Sequence, residues 1–203
     1  STPKPSSAAS DVYKRQLSDL VYGGLDDEAT RNLCNTAGLL HSASLLQQEE
    51  MRSLKSWFAD LLDPSLQSAE WVKDCARQAH RLLSDQQEPL ALHGDLHHGN
   101  VLDFGARGWR AIDPKGLYGE RAADFAALFL NPDLADSQRP YAISPQRFEH
   151  RIRLVSSHAG IDPVRLLRWI HAWSGLSAVW FIEDGIAPET QRTVAHLASN
   201  ALG

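Results

Sequence analysis

Residues 90–116 read LALHGDLHHGNVLDFGARGWRAIDPKG. Three apolar residues, Leu90 to Leu92, form a short strand that runs into His93. The next eight positions contain His93, Asp95 and Asn100 in the pattern H-x-D-x-x-x-x-N, with Gly94 and Gly99 free to make the backbone turns of a tight loop. Val101–Asp103 and Trp109–Ile112 then alternate around a glycine-containing loop, Gly105 to Gly108, which predicts a β-hairpin. Folding about the middle of that loop is expected to set Asn100 opposite Asp113. One residue closes the loop and the other opens the run Asp113, Pro114, Lys115, Gly116.

The residue types explain the spacing. H-x-D-x-x-x-x-N is the spacing of a phosphoryl-transfer catalytic loop. A carboxylate at Asp95 can orient an attacking hydroxyl and accept its proton. An amide oxygen at Asn100 and a carboxylate at Asp113 are hard donors suited to Mg²⁺ beside nucleotide phosphates. His93 reads as support for the loop. A rival reading makes His93, His97 and His98 zinc ligands of a hydrolase, but it leaves Asn100 and the hairpin without a role.

Outward from this loop the chain is helical. Asp26, Asp27 and Glu28 put negative charge at a helix start, and Leu33, Ala37, Leu40 and Ala43 follow at helical spacing. Further helices are predicted over Gln48–Leu62 and about Ser65–Asp85, the latter with Ala69, Val72, Ala76 and Ala79 on one face. After the hairpin, helices are predicted at about Ala122–Leu130, Pro145–Ala159, Pro163–Asp184 and Pro188–Ala201. The last three open on proline, whose missing N–H costs nothing in a first turn. Residues 1–10 are rich in Ser, Pro, Ala and Lys and read as disordered. The fold class is therefore α+β and mostly helical: a protein-kinase-like C-terminal lobe with a small β-hairpin at its catalytic edge.

Composition narrows the partners. The chain has 203 residues, 43% apolar and 22% charged, with a formal net charge of -5. Such a balance argues against nucleic acid and suits a small cationic substrate. The apolar run from Leu166 to Ile182 is broken by Arg168, His171, Ser174 and Gly175, so it reads as a core helix and not a membrane span. With no apparent signal peptide, and with Cys34 and Cys75 at no metal or disulfide spacing, the reading is a cytoplasmic protein with two reduced thiols.

LHGDLHHGNVLDFGARGWRAIDPKGLYGERAADFAALFLNP, residues 92–132, resembles the core of the aminoglycoside phosphotransferase superfamily, and within it the streptomycin 6-kinase branch of aminoglycoside/hydroxyurea resistance kinases. Weaker likeness extends through DDEATRNLC, LLHSAS and LLRWIHAWSGLSAVWFIEDG, so it covers about residues 18–203. The resemblance implies an ATP- and Mg²⁺-dependent O-phosphotransferase of antibiotic resistance, with Asp95 as catalytic base and Asn100 and Asp113 as magnesium ligands. Lys115 stays unassigned. Asp124 reads as a structural carboxylate that pins the catalytic loop. Glu183 and Asp184, ending a long helix, are candidate contacts for a cationic substrate. Trp169, Trp173 and Trp180 read as core in preference to a sugar-stacking platform. Upstream of the loop no strand-borne lysine or glycine-rich phosphate loop is legible. The expectation is a catalytic lobe at 18–203 without its ATP-holding lobe, after a foreign or disordered segment at 1–17. A kinase for a small metabolite and a non-catalytic remnant of the same fold are the alternatives.

Overall fold

The computed structural model describes residues 15–42 and 51–203. The readings at residues 1–10 and at Ala43 and Gln48 fall outside them. Eight α-helices and five short strands make up the described chain. Helices α1 (Leu17–Tyr22) and α2 (Asp26–Ser42) come first, then strand β1 (Arg52–Ser53), α3 (Leu54–Trp57), α4 (Ala59–Leu62) and α5 (Glu70–Ser84). Strands β2 (Pro89–Leu92), β3 (Val101–Asp103), β4 (Trp109–Ala111) and β5 (Leu117–Glu120) form the middle. Helices α6 (Pro145–Ala159), α7 (Pro163–Glu183) and α8 (Glu189–Leu202) close the chain.

Helix α7 is the axis of the core. Its N-terminus is fixed by Asp162, whose side chain accepts from the Arg165 N–H, and by Pro163 in the first turn. Leu166, Trp169, Ile170, Ala172 and Leu176 are fully buried, and each large apolar side chain removed from water stabilises the fold by about 1.5–3 kcal/mol. Helix α5 lays Val72, Cys75, Ala76, Ala79 and Leu82 against it. The contact is close because α7 carries Gly175 there: a Cβ at that position would stand 2.3 Å from Cys75 Cβ. Helix α8 covers a second flank. No helix among the described residues is long and apolar enough to cross a membrane.

Several readings change. The predicted helix over Gln48–Leu62 is interrupted. Arg52 and Ser53 are a strand, Ser53 caps α3 by accepting from the Ser56 N–H, and the chain bends again at Phe58 before α4. The strand forms because it pairs parallel with β5, which pairs antiparallel with β2 to give a three-stranded sheet in the order β1-β5-β2. Neither β1 nor β5 was legible, since LYGE carries a glycine and little apolar alternation. The Ala122–Leu130 segment consists of two 3₁₀ turns, Arg121–Phe125 and Ala127–Leu130, and not an α-helix. Pro188 caps α8 from outside and is not its first residue. Helix α1 was not foreseen.

Two buried ion pairs fasten these parts. Arg165 reaches Glu120 with both arms, at 2.7 and 2.6 Å, and joins α7 to the end of β5. Arg151 on α6 reaches Asp26 at the start of α2, at 2.6 Å, and also donates to the carbonyls of Leu128 and Asn131.

Buried histidines make the fold acid-sensitive. Burial in α7 lowers the His171 pKa from 6.5 to about 4. Between those two values the unfolded chain binds a proton that the folded chain refuses, so stability held above 6.5 is lost as pH falls toward 4. His98 is buried as well, with its pKa held well below 6.5, and adds to the loss in the same direction. Thermal unfolding across this interval is expected to show Tm falling with pH, and His171→Leu is expected to flatten the slope. An unchanged slope in that variant would remove His171 from the account.

Candidate active site

The loop His93–Asn100 lies between β2 and β3 and is fixed mainly through its backbone. Asp124, buried in the first 3₁₀ turn, accepts the N–H of His93 at 2.9 Å and of Gly94 at 2.7 Å. A third donor reaches the same carboxylate: His41 Nε2, from the last turn of α2, at 2.9 Å. Three donors thus converge on the Asp124 carboxylate. His41 was missed, because nothing in the sequence links positions 83 residues apart. Gly94 has φ +83°, and a Cβ there would stand 2.6 Å from the Leu117 side chain. Glycine is required on both counts.

His93 is fully buried and holds two segments together. Its Nε2 donates to the Ile112 carbonyl at 2.8 Å, and its Nδ1 accepts from the Asp95 N–H at 3.3 Å. Its own carbonyl accepts the Lys115 N–H at 2.7 Å. His93 thereby draws residues 112–115 alongside Asp95.

The hairpin exists, with a register one residue from the prediction. Val101 pairs with Ala111 and Asp103 with Trp109, so Asn100 lies opposite Ile112, whose N–H donates to the Asn100 carbonyl at 2.9 Å. The turn is a 3₁₀ turn, Gly105–Arg107, followed by Gly108 at φ +69°. That makes an odd-length loop and moves the centre by half a residue. Asp113 sits one position further on, in the left-handed region at φ +58°, a conformation uncommon outside glycine.

Around Asp95 the groups converge. Its carboxylate is about one-third exposed. The Asn100 side-chain amide donates to the Asp95 carbonyl at 2.9 Å and to Oδ2 at 3.3 Å. This commits the NH₂ group and leaves the amide oxygen outside these two bonds. Lys115 Nζ stands 2.6 Å from Asp113 Oδ2 and 3.6 Å from Asp95 Oδ2, a cation between two carboxylates. Its hydrogen bond lowers the Asp113 pKa, and Asp113 raises that of Lys115. Asp113 is exposed, so water screens the pair.

The three histidines do not converge. His97 Nδ1 accepts from the Gly99 N–H, capping the turn that follows, and burial lowers its pKa despite Asp95 at 3.7 Å. His98 points into the core, where neither ring nitrogen has a partner among the described residues. With His93 spent on the backbone and His98 turned into the core, the three rings form no zinc centre among the described residues.

A cavity of about 280 Å³ opens at Asp95, lined also by Gly94, Lys115, Asn131 and Ser177, with Trp57, Trp173, Trp180 and Phe181 as its aromatic wall. Trp169 and Trp173 are core, as read; Trp173 also lines the cavity, and Trp180, packed against the core, is half-buried beside it. Glu183 and Asp184 are exposed at the end of α7 and are not among the residues that line the cavity.

Over residues 11–185 the chain matches the family described as aminoglycoside/hydroxyurea antibiotic resistance kinase. It is 48% identical over 186 residues to a streptomycin 3''-kinase of Klebsiella pneumoniae, covering 92% of this chain and 69% of that protein. It is 32% identical over 151 residues to a streptomycin 6-kinase of Streptomyces glaucescens, covering 74% of this chain and 46% of that protein. A hydroxyurea phosphotransferase of Kitasatospora aureofaciens is 31% identical over 192 residues, covering 89% of this chain and 52% of that protein. The chain thus spans about two-thirds of the first relative and about half of the other two. The names of the two streptomycin kinases differ in position, so the likeness to a 6-kinase branch does not carry over as a choice of hydroxyl.

Proposed function

We propose, from the premise that this chain belongs to the aminoglycoside/hydroxyurea antibiotic resistance kinase family, phosphotransferases with an alcohol acceptor, that it phosphorylates a hydroxyl of a streptomycin-type aminoglycoside at the expense of ATP. The observation that carries the reading is Asp95: a partly exposed carboxylate at the mouth of a cavity, on a loop whose backbone amides are held by Asp124.

In this reading the acceptor hydroxyl donates its hydrogen bond to Asp95 and gives up its proton there. The acceptor oxygen forms a bond to the terminal phosphorus of ATP as the bond from phosphorus to the ADP oxygen breaks. Most of the rate comes from placement, because phosphoryl transfer asks little covalent chemistry of the protein. Asn100 holds the Asp95 carboxylate in orientation through its NH₂ group. The Asn100 amide oxygen and the Asp113 carboxylate are a hard-oxygen donor pair that fits Mg²⁺. When bound there, Mg²⁺ would offset the charge on the phosphate oxygens. Lys115, already shared by the two carboxylates, is placed to offset their mutual repulsion.

Residues 18–203 are assigned as the catalytic lobe. Among the described residues upstream of the loop, Lys55 is exposed on α3 and Lys73 pairs with Glu70. Neither offers a strand-borne phosphate contact, and the main grip on the nucleotide is assigned to chain outside this lobe.

The whole protein that contains this chain, given Mg-ATP and streptomycin, is expected to form a streptomycin phosphomonoester detectable by mass spectrometry. Phosphorus–proton correlation spectra of the product then tell the 3'' from the 6 hydroxyl. ATP consumption without any phosphorylated aminoglycoside would overturn the reading.

A further inference from the structure

The aromatic wall of the cavity has no role in proton or phosphoryl transfer, yet it is built with care. Trp180 donates its Nε1–H to Asp60 Oδ2 at 2.9 Å, which fixes the orientation of the indole. Trp57 meets it edge to face, with ring centroids 5.4 Å apart. Trp173 is braced in the same manner by Phe58, at 5.6 Å. These rings are held in place before any ligand arrives. Asp95 supplies negative charge at the same cavity.

The chemistry of the wall is shown once within the molecule. The guanidinium of Arg52 lies over the Trp57 ring, 5.0 Å from its centroid. Arg52 is exposed. Trp57 therefore already takes a guanidinium on one face. A cavity of about 280 Å³ stands at the lower edge of the roughly 300–1,000 Å³ usual for small-molecule sites. It has room for one ring of an oligosaccharide and not for a whole one.

We infer that Trp57, Trp180 and Phe181, backed by the buried Trp173, form the acceptor-specificity wall, which receives a single polyhydroxylated ring bearing guanidino or ammonium groups and stacks it so that one hydroxyl faces Asp95. This rests on the functional reading above and deepens it. The indole faces attract the cation through their quadrupoles, and Asp95 faces the reacting edge. An uncharged ring of the same size loses the cation–π part and binds more weakly. The remaining rings of the antibiotic project from the cavity.

The test uses the whole protein that contains this chain. In Trp180→Leu the KM for streptomycin is expected to rise at least about tenfold, with the KM for ATP unmoved. Trp180→Phe keeps an aromatic face and is expected to recover most of the loss. Trp180→Leu with the streptomycin KM of the parent would overturn the inference. Should that variant fail to fold, intrinsic fluorescence decides. Streptomycin is expected to quench the parent protein, with a smaller amplitude in Trp180→Phe or Trp57→Phe; full amplitude in both would overturn the wall as a binding surface. A parent protein that phosphorylates no aminoglycoside overturns the functional reading itself, and this inference with it. Transfer that is indifferent to Trp180 overturns the inference alone.

Discussion

Replacing Asp95 by asparagine is expected to abolish phosphoryl transfer while leaving the fold unchanged. The substitution keeps the shape of the side chain. The Asn100 amide still has the backbone carbonyl of residue 95, at 2.9 Å, to donate to. Asp124 still holds the amides of His93 and Gly94, which do not depend on the side chain at 95. What disappears is what an amide cannot supply: acceptance of the hydroxyl proton, and the negative charge beside Lys115. Positioned general bases contribute about 10²–10⁴-fold, and a kcat lowered by about 10³-fold is expected. Streptomycin should still bind, because the aromatic wall is untouched. A kcat within about tenfold of the parent, below the usual contribution of such a base, would remove Asp95 from that role. A large drop in Tm would assign it to structure instead.

The second large effect concerns stability. Asp26→Ala leaves Arg151 buried, with both residues 1% exposed in the parent. Nε and Nη2 of Arg151 lose their acceptors, while Nη1 keeps the Leu128 and Asn131 carbonyls. Removing one partner of a buried pair costs about 3–5 kcal/mol, mainly because the other charge is stranded. For a chain of this size that corresponds to a fall in Tm on the order of 10 °C. The double variant Asp26→Ala/Arg151→Met removes both charges and is expected to regain most of the loss. Calorimetry on the three proteins checks it, and a single variant within about 1 kcal/mol of the parent would show that the pair contributes little. The damage should spread toward the site, since Arg151 also braces the second 3₁₀ turn, which directly follows the one that carries Asp124.

The sequence revealed the site more fully than the sheet around it. The loop His93–Asn100 and the hairpin were legible, because each rests on local spacing. Helices α2, α5, α6 and α7 were legible from period and from Pro145 and Pro163 at their starts. Strands β1 and β5 were not, because two and four residues held mainly by partners far along the chain leave no periodic trace. The register of Asn100 and Asp113 failed by one residue because the 3₁₀ turn at Gly105–Arg107 gives the loop a different length from an ideal reversal. His41 and the tryptophan wall were invisible for another reason. A histidine ending a helix and tryptophans on an apolar helix look like packing until tertiary structure puts them at a carboxylate or a cavity.

The way α5 meets α7 has a practical outcome. Gly175 lets α7 lie directly on Cys75, which is fully buried, and Cys34 is 5% exposed on α2. Burial pushes both thiols up to about 12, so near neutral pH almost no thiolate is available to react. These are the two cysteines of the 203-residue sequence. A cysteine introduced at an exposed position such as Leu39 should therefore take a maleimide dye selectively, and a fluorophore can be attached without first removing the native thiols.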